Sequence, residues 1–68
     1  MTFKELAEKT LKDYPEGIWV HFNSYYGDEI YLDEYYLKEF EYYLNREVKN
    51  YYIDECDYEC LEVTLKRD

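Results

Sequence analysis

The chain has 68 residues and carries 17 Asp and Glu against 8 Lys and Arg, a formal net charge of -9. A chain this short buries only about 60% of its unfolded surface, so one small acidic domain over residues 1–68 is the ceiling and an enzyme is not expected. A pI near 4.4 repels nucleic acid and anionic membranes, which leaves a basic protein as the natural partner.

Acidity does not imply disorder here, because 22% of the residues are aromatic, 11 of them Tyr, and they are interleaved with the acids. The first element is a helix over residues 2–14. Thr2 and Glu5 form a capping box, and Phe3, Leu6, Ala7, Thr10, Leu11 and Tyr14 share one arc. On the solvated face Glu5 with Lys9 and Glu8 with Lys12 are i,i+4 pairs. Pro15 and Gly17 then stop the helix.

Residues 18–23 alternate Ile18, Val20 and Phe22 inward with Trp19, His21 and Asn23 outward, the signature of a half-buried strand. A hairpin with a loop over Ser24 to Asp28 would set Phe22 opposite Ile30 and Val20 opposite Leu32, keeping the aliphatic side chains on one face. From Asp33, an N-cap residue, to Arg46 the period is helical again. Tyr36, Leu37, Phe40, Tyr43 and Leu44 form the core stripe, and Tyr35, Glu39 and Tyr42 lie opposite, flanked by Glu34 and Glu41. Residues 47–53 and 58–66 read as a second hairpin. Pairing Val48 with Val63 would turn Ile53 away from the core, a conflict that a bulge would remove. The expected fold is α+β: helix, β-hairpin, helix, β-hairpin, with the helices packed on one face of a small antiparallel sheet. With few aliphatics available, roughly seven of the 11 tyrosines are expected to be structural.

The net charge is unevenly placed. Residues 1–14 and 60–68 each balance to zero, so the excess belongs to residues 15–59. It concentrates at Asp28 and Glu29, at Asp33, Glu34, Glu39 and Glu41, and at Asp54, Glu55, Asp57 and Glu59. A net charge of about 2 to 8 already keeps a small domain soluble, so the surplus points to a binding surface. Tyr35 and Tyr42 add rigid amphipathic contact area to it. These twelve residues are the expected partner-binding set.

In size, charge and aromatic content the chain resembles the small acidic DNA-mimic inhibitors of phages and mobile elements, the anti-CRISPR and anti-restriction proteins among them. The resemblance is compositional, and no family motif carries contact residues over. It implies a monomer, working in the cytoplasm of a bacterial host cell, that occludes the duplex-DNA or PAM site of a defence nuclease such as the Cas9-type RNA-guided effectors. The alternative is an acidic antitoxin or phage regulatory module that binds a basic protein outside its DNA groove. No catalytic residue, cofactor or metal is expected. Cys56 and Cys60 with His21 lack the paired spacings of a zinc site and are expected to be ordinary reduced thiols and an imidazole.

Overall fold

The computed structural model describes residues 1–23 and 29–66. The sequence-predicted capping box starts the first helix, α1 (Phe3–Asp13). The Thr2 backbone N–H donates to Glu5 Oε1 at 2.9 Å and the Glu5 N–H donates to Thr2 Oγ1 at 3.3 Å. Two more of the helix's orphan donors find tertiary acceptors, Phe3 N–H on the Arg46 carbonyl and Lys4 N–H on that of Leu44. The charged side chains turn to other elements rather than to each other along the helix: Lys9 Nζ donates to Tyr51 Oη at 2.9 Å, and Glu8 accepts from Tyr36 Oη at 3.0 Å.

The strands are β1 (Ile18–Phe22), β2 (Glu29–Leu32), β3 (Val48–Asp54) and β4 (Cys60–Leu65), and they form one sheet in the order β2-β1-β4-β3. Both hairpin pairs are antiparallel, but β1 and β4 run parallel at the centre, so the sheet is mixed and not antiparallel throughout. The hairpin signals in the sequence are local and say nothing about which strands of two hairpins meet.

Both registers differ from expectation, each for a reason that leaves the inward face intact. In β1–β2, Val20 faces Ile30 and Ile18 faces Leu32, a shift of two residues from the expected pairing. Side chains alternate with period two, so the shift preserves which residues point inward. The expected hairpin loop and Asp28 fall in 24–28, outside the described residues. In β3–β4 the predicted conflict is resolved by a bulge. Val48 pairs with Leu65 and Asn50 with Thr64, so Lys49 is extra and Ile53 comes opposite Leu61 on the core side.

The second helix is short. α2 spans Tyr36–Glu39, and turns carry the chain from Phe40 to Asn45. Asp33 is not the N-cap expected: Tyr35 holds that position without a side-chain cap bond, and the Asp33 carboxylate accepts the Tyr35 N–H at 2.9 Å in the turn before α2. Aromatic residues lose side-chain freedom in a helix, and the Leu44 and Arg46 carbonyls are committed to α1, so tertiary bonding overrides the helical period. Leu37, expected in the core, is exposed; Phe40 and Tyr43 are buried as expected.

The helices cover one face of the sheet. Phe3, Leu6 and Ala7 of α1 with Phe40 and Tyr43 meet Ile18, Val20, Phe22, Leu32, Val48, Leu61, Val63 and Leu65. At the centre is an aromatic cluster. Phe3 lies 5.2 Å from Phe22 and 5.1 Å from Phe40, and Tyr43 stacks on Phe22 at 4.2 Å. All of the chain's three phenylalanines are fully buried. Of the nine described tyrosines only Tyr43 is buried in the core, with Tyr14 and Tyr36 packed half-buried against it. Truncating Phe22 to Ala should cost about 3–5 kcal/mol, against a total of roughly 3–10 kcal/mol for a domain of this size. Urea titration followed by circular dichroism should show Phe22→Ala destabilised by at least about 3 kcal/mol, whereas Leu37→Ala stays within about 1 kcal/mol of the parent.

Candidate functional site: an acidic end and an aromatic groove

Strand direction decides where the charge goes. The start of β1, the ends of β2 and β3 and the start of β4 lie at one end of the sheet. The end of α1 and the turn after it bring Asp13 and Glu16 there, the residues after β2 bring Asp33 and Glu34, and the end of β3 with the β3–β4 connection brings Asp54, Glu55, Asp57 and Glu59. Eight carboxylates from three stretches of chain thus share one end. The opposite end carries Lys4, Arg46, Lys49, Lys66 and the N-terminal amine together with Glu5 and Glu47, the Glu47 carboxylate lying 3.3 Å from the amine, and it is stitched by Val48 N–H to the Met1 carbonyl and Lys66 N–H to that of Glu47. Among the described residues the charge is therefore polarised along the strands.

The expected contact residues divide into two kinds. Several of the acids work inside the fold. Glu29 accepts from Tyr58 Oη at 3.1 Å, and the neighbouring Glu59 carboxylate holds the Tyr14 phenol above its ordinary value. Asp54 accepts the Cys56 N–H at 3.0 Å, which draws its carboxyl below the usual range. Asp33 shares a hydrogen bond with Glu39, and that bond raises the Glu39 carboxyl above its ordinary 4.5. Glu34, Glu41, Glu55 and Asp57 are exposed, as are Tyr35 at 65% and Tyr42 at 83%. Glu41 and Tyr42 stand in the turns beyond α2 rather than on a continuous helix face with Tyr35.

Beside the acidic end runs a groove of about 530 Å³ that the candidate residues named from sequence largely miss. Tyr14, Trp19, Tyr31 and Tyr58 wall it, and Asp13, Glu16 and Glu59 supply its carboxylates. The walls are fixed. Tyr31 donates to the Glu16 carbonyl at 3.1 Å and meets Trp19 edge-on at 5.2 Å. Its ring rests on Gly17, where an added Cβ would stand 2.6 Å from both the ring and the Leu32 carbonyl, and where φ is +100°. Only glycine fits this position without strain. The signal was present in the alternation, which turns Trp19 and Tyr31 outward together, but Tyr14 and Tyr58 come from connections that no period describes.

The sheet face away from the helices continues from this groove. His21 Nδ1 lies 2.9 Å from Glu62 Oε1, Asn23 Nδ2 donates to the same oxygen at 3.3 Å, and Thr64 donates to Asn23. The buried Cys60 thiol lies 3.5 Å from Glu62 Oε2, and burial, followed by that carboxylate, pushes it up to about 11. Cys56 is an exposed thiol held above its ordinary value by Asp54. Comparison with protein-family models, with curated proteins and with solved structures gave no match, so the functional reading rests on this geometry.

Two measurements check these environments. At pH 8 the Cys60 thiol should be ionised on the order of a hundredfold less than a thiol of ordinary value; alkylation followed by mass spectrometry should modify Cys56 first and Cys60 only as the protein unfolds. Glu39 holds its proton more tightly folded than unfolded, so its contribution to stability is present at low pH and is lost as pH rises above 4.5. Glu5, lowered by its bonds to Thr2, behaves oppositely: its contribution is present above 4.5 and is lost as pH falls below that value. At pH 7, Glu39→Gln should keep or raise the melting temperature while Glu5→Gln lowers it.

Proposed function

We propose that this protein is an inhibitor that mimics duplex DNA and occupies the DNA-binding site of a basic bacterial defence nuclease. The first candidate target is the PAM-reading region of a Cas9-type RNA-guided effector. The observation that carries the reading is the gathering of eight carboxylates at one end of the sheet, while at the other four cationic side chains and the N-terminal amine outnumber Glu5 and Glu47. A duplex as long as the molecule's 25 Å middle dimension carries about 15 phosphate charges, of which roughly half face any one protein. Eight carboxylates match that number, and cationic side chains placed to engage phosphates and base edges would meet a similar charge density.

The polarity also orients the molecule. A basic cleft attracts the acidic end and repels the cationic one, so docking would proceed with the sheet end leading. A second reading is favoured by the exposed aromatics of the helix-free face, Trp19, Tyr31, Tyr52 and Tyr58: an acidic antitoxin or phage regulatory module that grips a basic protein outside its DNA groove. Competition with DNA separates the two.

Electrophoretic mobility shift with a guide-loaded Cas9-type effector is the test. Protein added before DNA should abolish DNA binding, while protein added after R-loop formation should act at least about tenfold more weakly, the PAM duplex being already engaged. The combined reversal Glu34→Lys, Glu55→Lys and Asp57→Lys should weaken inhibition by on the order of tenfold or more and flatten its salt dependence, whereas Glu5→Lys at the far end leaves both nearly unchanged. Equal potency in both orders of addition, or equal loss from both charge variants, would refute this reading.

A further inference from the structure

Four aromatic side chains and three carboxylates line one groove, and among the described residues no Lys or Arg lines it. Two of the three phenols there are tied at their oxygens, Tyr31 to the Glu16 carbonyl and Tyr58 to Glu29. Those two rings are consequently set before any ligand arrives, which removes much of the ordering cost of binding. Trp19 keeps 40% of its surface exposed in spite of its edge-on contact with Tyr31.

Such walls select by charge and shape. An anion is repelled by Asp13, Glu16 and Glu59, and an apolar group would leave those carboxylates facing it unpaired. A cation is attracted by the ring faces and by the carboxylates alike. Between the two common cationic side chains, the guanidinium is flat, weakly hydrated and presents a fork of donors to carboxylate oxygens, while the ammonium is a compact and strongly hydrated point charge.

We infer that the groove between the α1–β1 connection, β2 and Tyr58 is a receptor for an arginine side chain of the protein's partner, with aromatic rings against the guanidinium plane and carboxylates at its edge. This deepens the reading above and rests on it only for the partner's being a basic protein. A volume of about 530 Å³ lies within the roughly 300–1,000 Å³ of ordinary ligand sites, so the arginine enters together with part of its flanking chain.

Trp19 is the only tryptophan of the sequence, so its fluorescence reports the site directly. The probe is a short peptide carrying two arginines, compared with versions carrying lysine or citrulline at the same positions. The arginine peptide should change Trp19 emission saturably, the lysine peptide about fivefold more weakly, and the uncharged citrulline peptide not at all over the same range. Combining Glu16→Gln with Asp13→Asn should weaken the arginine peptide by about fivefold with an unchanged far-ultraviolet circular dichroism spectrum. Both carboxylates sit outside the tyrosine tethers, so the walls remain in place.

No saturable change with the arginine peptide, equal binding of the citrulline peptide, or undiminished binding by the folded variant would each overturn the inference. A parallel mobility-shift arm keeps the two proposals apart. If the arginine peptide gives no saturable change while the parent competes with DNA, the arginine receptor fails and the DNA-mimic reading stands. If the arginine peptide binds as expected but the parent never competes with DNA, the reverse holds.

Discussion

The structure depends on three phenylalanines. Phe3 on α1, Phe22 on β1 and Phe40 after α2 come from separate elements and meet at ring distances of 5.1 to 6.1 Å. A small chain with few aliphatics has little else with which to fill its centre, and a buried aromatic removes more surface from water than a buried aliphatic. Once these rings and Tyr43 occupy the middle, the helix-facing side of the sheet is committed. The remaining described aromatics, tyrosines but for Trp19, are left to the periphery.

That displacement explains why tyrosine and carboxylate occur together. A phenol near the surface keeps its ring against the protein and needs a partner for its hydroxyl, and a carboxylate is a strong acceptor. Tyr36 with Glu8 and Tyr58 with Glu29 each join two different elements in this way. Part of the acidity is therefore internal wiring, which accounts for the placement of Glu8 and Glu29 without a partner. What wiring does not account for is the segregation of charge. Asp13, Glu16, Glu34, Glu55 and Asp57 come from stretches of chain with no common sequence neighbourhood, and strand direction alone assembles them.

The elements with local signals were legible in the sequence. The capping box and apolar arc defined α1, and strict alternation defined the inward faces of β1 and β4. Parity arguments placed the aliphatics correctly even though the β1–β2 register differs by two residues, and they exposed the conflict at Ile53 that the bulge at Lys49 removes. The features set by long-range contact were not legible. The parallel β1–β4 pair has no sequence pattern, and the helical period from Asp33 to Arg46 yields to carbonyls that serve the start of α1. Trp19 and Tyr31 were visible as outward residues, but a groove needs Tyr14 and Tyr58 as well, and the position of Tyr58 follows from a tertiary hydrogen bond.

The central claim is that the acidic end, not the molecule's charge as a whole, makes the contact. Amide hydrogen exchange of the protein alone and bound to a guide-loaded Cas9-type effector reads this directly. New protection is expected across residues 13–17, 33–34 and 54–59, with the exchange of residues 1–4 and 46–49 unchanged. Protection centred on the cationic end, around Lys4, Arg46 and Lys66, or the same slight protection everywhere, would contradict it.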